Sequence, residues 1–140
     1  MTTRVDRYTE TKTPANRYTD FLVDLTPHPN TKDLMRVSDV DSIKRAIRNL
    51  ALTDKNERLM QPKIGSNIRR MLFEPLDERS ANMIRQYLME TIGNYEPRAK
   101  VIDITVRPDE RNNSYTVNVY FYAINIPEPV SFTLNLYRVR

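Results

Sequence analysis

The amino-acid sequence predicts an α+β fold: three helices packed on one face of a small antiparallel sheet, preceded by a polar N-terminal arm. Three observations point there. Apolar residues recur at the helical spacing from about residue 39 to residue 92, and at every second position from residue 101 onward. The two patterns never alternate, which separates helices from sheet instead of interleaving them. The three strand-like runs are joined by short turns, so an antiparallel meander is their natural pairing.

Residues 1–17 offer little to bury, only Met1, Val5, Tyr8 and Ala15 among polar and charged neighbours. They read as an arm, disordered alone or ordered by a partner, ahead of a single domain over 18–140. Phe21, Val23 and Leu25 alternate with Leu22, Asp24 and Thr26, an early strand or extended segment, and Thr26-Pro27-His28-Pro29-Asn30-Thr31 breaks it. Ser38 is a candidate N-cap for a helix over 39–51, with Asp39 and Asp41 at the positive end of its dipole. Val40, Ile43, Ile47 and Leu50 share one face of it, and Lys44, Arg45 and Arg48 lie toward the other. Residues 53–63 are polar and read as a loop. Ile64, Ile68, Met71 and Leu72 mark a short second helix that stops before Pro75. Asp77 can cap a third helix, with Ala81, Ile84, Leu88 and Ile92 along one face and Gly93 as its C-cap.

The strands then follow at 101–106, 115–124 and 130–138. In the second, Tyr115, Val117, Val119, Phe121 and Ala123 share a face. In the third, Val130, Phe132, Leu134, Leu136 and Arg138 oppose Ser131, Thr133, Asn135 and Tyr137. The turns fall at 108–114 and 125–129. Either the last strand or the 115–124 strand can lie at the sheet edge; the last strand is favoured, because no later element follows to cover it.

Composition removes several classes of function. The chain of 140 residues has no cysteine and one histidine, His28, so neither a disulfide framework nor a clustered metal site is expected, and no cofactor. The absence of cysteine fits assembly in a reducing cytoplasm. Two glycines, Gly65 and Gly93, cannot build a phosphate-binding loop. No apolar run approaches a membrane span and no signal-peptide core follows Met1, so neither export by a signal peptide nor a membrane partner is expected. The formal charge is +4, and residues 39–70 hold eight basic against four acidic residues. Lys44, Arg45, Arg48, Arg69 and Arg70 lack any accompanying helix-turn-helix or aromatic stacking motif, so nucleic acid is not the expected partner. Sixteen of the 22 basic residues are arginine, which suits carboxylate pairing at protein interfaces. Catalysis lacks a constellation: His28 stands alone, and Glu57, Glu74, Glu90 and Glu96 each have an ordinary role as loop charge, helix end, exposed helix face or arginine partner.

One junction stands out. Glu96-Pro97-Arg98 lies between the last helix and the first long strand, where Pro97 ends the helix and fixes how two opposite charges project. On that ground Glu96, Pro97 and Arg98 are candidate partner-binding residues rather than a pair serving fold stability.

Together these pieces carry a resemblance. The run Asp39-Val-Asp-Ser-Ile-Lys-Arg-Ala-Ile-Arg-Asn-Leu with Thr53, then Glu57-Arg58, Pro62, Ile64-Gly65-Ser66, Leu72-Phe73-Glu74-Pro75 and Tyr95-Glu96-Pro97-Arg98, resembles the contractile-tail baseplate wedge family that seeds the tail sheath. Its type VI secretion counterpart is called TssE. The sequence departs at Asp54-Lys55-Asn56, where the family often turns with a glycine before its Glu-Arg. The resemblance implies a structural, non-enzymatic protein of the virion tail baseplate, assembled in the host cytoplasm. The Glu-Pro-Arg junction would dock on the helical core bundle of other wedge subunits. A sheet edge, with Ser131, Thr133, Asn135 and Tyr137 outward, would template the first ring of tail sheath protein by strand addition. No small-molecule substrate, cofactor or metal is implied. The alternative of another class is a peptidoglycan-cleaving, lysozyme-like baseplate enzyme.

Overall fold

The structure, a computed structural model, describes residues 18–22, 24–124 and 126–138. The expected arm over 1–17, Val23 of the early alternation and Asn125 of the last turn lie outside the described residues. The chain groups into two compact units, residues 1–39 and 40–140.

In the first unit, β1 (Thr19–Phe21) pairs antiparallel with β2 (Arg36–Ser38), Asp20 standing opposite Val37. The early strand is therefore real but shorter than the alternation suggests, and its partner carries no alternation of its own. A narrower turn closes the far end, where His28 N–H donates to the Asp33 carbonyl at 2.7 Å and Lys32 N–H to the His28 carbonyl at 2.9 Å. Ser38 ends β2 in register with Thr19. The chain passes from Ser38 into the helix that follows through Asp39, at φ +47°.

The second unit is an α+β domain with a three-stranded antiparallel sheet. Helix α1 (Asp39–Leu52) buries Ile43, Ile47 and Ala51, one residue beyond the Leu50 expected on that face. Helix α2 (Ile68–Met71) is a single turn, and α3 (Glu78–Tyr95) buries Ala81, Ile84, Leu88 and Ile92 as their spacing requires. The Asp77 cap is in place: its carboxylate accepts from Ser80 N–H at 2.7 Å. Gly93 does not end α3. The helix runs two residues further, and Pro97 is what stops it, because a proline ring clashes with the preceding turn and lacks the donor to continue it.

The sheet order is β3 (Ala99–Asp109), β4 (Ser114–Ala123), β5 (Pro129–Tyr137), so the strand over 114–123 is central and β5 is an edge. All five residues predicted on one face of β4 are buried, and α3 packs against β3 above them while α2 packs against α3. Phe121 meets Phe132 of β5 edge to face, with centroids 6.2 Å apart. Between Val101 and Asp103 the register slips by one residue at Ile102. This bulge changes which residues of β3 face inward, from Ala99 before it to Ile104 after it.

Candidate functional site

Two regions carry the residues singled out in the sequence. The first is the junction. Glu96 N–H donates to the Ile92 carbonyl at 2.9 Å and so closes α3, while Ala99 N–H reaches back to the Glu96 carbonyl at 3.1 Å. Arg98, the last residue before β3, already continues the ladder toward β4, its carbonyl accepting from Ile124 N–H at 2.9 Å. This tight reversal brings the two charges together. Arg98 Nε lies 2.6 Å from Glu96 Oε1, and Nη2 lies 2.6 Å from Oε2. The Glu96 side chain is only 4% exposed and that of Arg98 27% exposed. A fork of two parallel charge-assisted bonds is the geometry in which arginine and carboxylate bind most strongly. The pair is therefore a local structural feature of the junction as well as a candidate partner-binding site. Pro97, between them, is exposed.

A neighbour that appears in the sequence motif without a role of its own completes the junction. Tyr95, the last residue of α3, donates its hydroxyl to the Lys63 carbonyl at 2.6 Å and ties the junction to the loop between α1 and α2. In that loop Asn56 sits at φ +72°, taking the left-handed turn for which asparagine is among the better non-glycine residues. The departure from glycine near Glu57-Arg58 thus keeps a turn in the left-handed region. Glu57 itself accepts from Asp54 N–H at 2.8 Å.

The second region is the open edge of β5. Arg138 N–H donates to the Asn113 carbonyl at 3.0 Å, which makes 113 and 138 a bonded pair of the ladder. Antiparallel pairing alternates bonded and non-bonded positions, so Leu136, Leu134, Phe132 and Val130 also bond to β4. Ser131, Thr133, Asn135 and Tyr137 then turn their backbone N–H and C=O away from β4. The Ile124–Arg98 bond on the other side of β4 requires the same parity. Thr133 and Asn118 face each other at one of these non-bonded positions, where side chains come closest, and their side chains are hydrogen-bonded at 2.7 Å. Pro129, in the same outward set, has no donor to waste there. The other edge differs. β3 carries the Ile102 bulge, and Pro108 occupies one of its outward slots, two devices that blunt an edge. β5 is in unbroken register from Pro129 to Tyr137.

The carboxylates considered for catalysis are dispersed: Glu74 and Glu90 are exposed on the surface, Glu57 closes its loop and Glu96 is held by Arg98. Among the described residues no three histidine, cysteine or carboxylate side chains cluster to hold a metal, and no helix is long and apolar enough to cross a membrane.

Comparison with known proteins gives this α+β domain, with its open sheet edge and clamped Glu-Pro-Arg reversal, a family. Residues 37–124 match the family model described as baseplate wedge protein gp25; the chain belongs to that family and is a baseplate wedge component of a contractile tail. It is 26% identical over 99 residues to baseplate wedge protein gp25 of Enterobacteria phage T4, covering 71% of this chain and 75% of the relative. Its fold is shared with a protein of Geobacter sulfurreducens called a tail lysozyme (20% identity, TM-score 0.66, covering 71% of this chain and 91% of that one). It is shared too with a chain of the baseplate complex from the type VI secretion system (18% identity, TM-score 0.60, covering 72% and 94%).

Proposed function

We propose that this protein is a non-enzymatic anchor that joins other wedge subunits of the baseplate to the first ring of tail sheath. The observation that carries the reading is the parity of β5. An edge nine residues long, without bulge or interior proline, leaves four consecutive outward positions whose backbone groups are unclaimed by β4. Such an edge is either protected or used, and an extended arm of sheath protein would pair with it as a fourth strand. The side chains of Ser131, Thr133, Asn135 and Tyr137 lie on the exposed face, so that arm can pair along the edge without disturbing the core.

The Glu96-Pro97-Arg98 junction docks on the helical bundle of the other wedge subunits, Glu96 holding Arg98 and Pro97 in place. Residues 1–17 form an arm that gains order along a neighbouring subunit, and the body of the protein is 18–140. No cofactor, substrate, nucleic acid or membrane enters this role.

The test is proline at Thr133 or Asn135. It removes an outward N–H and leaves the β4 ladder intact, so circular dichroism should show a folded protein while sheath fails to polymerise on the baseplate. Proline at Phe132 is the control and should unfold the domain. Folded variants at both outward positions that nucleate sheath normally would overturn the reading. A muropeptide-release assay addresses the enzymatic alternative, and no turnover is expected.

A further inference from the structure

Leu59 and Met60 are each 96% exposed, side by side at the tip of the loop between α1 and α2. The loop beneath them is braced. Asn56 N–H donates to the Pro62 carbonyl at 2.8 Å and closes the tip, within which Gln61 N–H reaches the Arg58 carbonyl at 3.2 Å. At the base, Ser66 N–H donates to the Thr53 carbonyl at 2.8 Å and Ser66 Oγ to the Ala51 carbonyl at 2.8 Å. Gly65, at φ +131°, lets these backbones touch. The Tyr95 hydroxyl pins Lys63 from the side of the Glu-Pro-Arg junction. A loop fixed this way has already met much of the ordering cost that binding imposes, and it holds two apolar side chains in water.

We propose that Leu59 and Met60 form a docking knob that seats in an apolar socket rimmed by carboxylates on the wedge partner of the Glu-Pro-Arg junction. This rests on the functional reading above, since the Tyr95 bond makes knob and junction parts of one surface. The charge specifies the rim. Residues 39–70 contain eight basic and four acidic residues, an excess of four that equals the formal charge of the whole chain. Within the loop, Asp54 pairs with Arg69 at 3.5 Å and Glu57 is turned onto Asp54 N–H, while Arg58 and Lys63 are exposed beside the tip. A second copy of the chain would meet the knob with like charge. Nucleic acid would find no aromatic ring at the tip to stack on, and two side chains on a loop lack the apolar face of a membrane-binding helix.

The experiment measures binding of the full chain to the core-bundle wedge subunits encoded beside it, for the native protein, Leu59→Ser/Met60→Ser, Tyr95→Phe and Arg98→Ala. The double variant should keep its melting temperature and bind about thirtyfold more weakly, the loss expected of central anchors. Tyr95→Phe, which keeps the knob but frees the loop, should lose about threefold by the same preorganisation argument. Native-like binding by the folded double variant, with Arg98→Ala defective while circular dichroism shows it folded at the assay temperature, overturns the knob and leaves the junction standing. The reverse pattern overturns the junction and keeps the knob, and a native chain that does not bind removes both. Tip-dependent self-association in sedimentation, or tip-dependent capture by phosphatidylcholine–phosphatidylglycerol vesicles, would assign the tip to another surface and also overturn the proposal.

Discussion

The two glycines have opposite jobs, and substitution separates them. Gly65 is held at φ +131° with the Asp54 and Thr53 backbones 2.7 Å from where a Cβ would stand. Gly65→Ala meets both strain and collision with backbone that cannot move aside, and should cost about 2 kcal/mol or more in chemical denaturation. Gly93 lies inside α3 with nothing within 4 Å of an added Cβ. Gly93→Ala should therefore stabilise the protein by about 0.5–1 kcal/mol. The sequence alone suggests the contrary sign, because a glycine followed by a proline four residues later imitates a helix end. At the junction, Arg98→Ala strands a buried carboxylate and should cost about 3 kcal/mol, the lower end for a broken buried pair because Arg98 keeps some contact with water. Glu96→Gln with Arg98→Met should recover part of that loss. Adjacency of the two charges was readable; the burial of one was not, because it depends on how α3 and β3 close around it.

Helix α3 owes its start to Asp77, and acid should expose that. The backbone N–H of Ser80, then its hydroxyl, hold the Asp77 carboxyl below its ordinary value of 3.8. A carboxylate with a lowered folded value contributes stability above its unfolded value and loses it as pH falls through the folded one. Asp77→Ala should thus lower the melting temperature at neutral pH, and the difference from the native protein should shrink below pH 4. A gap that stays constant into strong acid would contradict the cap. Elements with one wet and one dry face were legible: β4, β5 and α3 alternate or repeat because each packs on one side only. The β1–β2 pair was half legible, since strands of three residues with mixed exposure leave no period to detect. The bulge in β3 was not, because Val101 and Ile102 are adjacent apolar residues and either phase finds one of them to bury.

For the molecule as a whole, stability converges on the central strand. Phe121 is fully buried with its ring edge to face with Phe132 of β5, and Tyr115, at the other end of β4, donates its hydroxyl to the Pro75 carbonyl at 3.1 Å. Phe121→Ala should cost about 3–5 kcal/mol, a large share of the 5–15 kcal/mol that folds a domain. Tyr120→Ala, one residue away on the exposed face, should change stability by less than about 0.5 kcal/mol. Comparable losses at the two positions would mean that the outer face is covered in the free protein. The order of elements, the meander pairing and the family resemblance reached this architecture from sequence, the favoured placement of the last strand at an edge included; which of its backbone groups face outward required the register.

Parity in β5 also bears on how such a protein can change over time. In β5 the residues that turn their backbone outward also turn their side chains to the exposed face. Pro129, Ser131, Thr133, Asn135 and Tyr137 consequently hold the outward groups of the strand, and Val130, Phe132, Leu134 and Leu136 hold the groups that bond to β4 and face the core. Two alphabets are written on alternate letters of one strand. The outward letters can drift with the sequence of a partner while the inward ones stay under the constraint of the core, so partner specificity can evolve without renegotiating the fold.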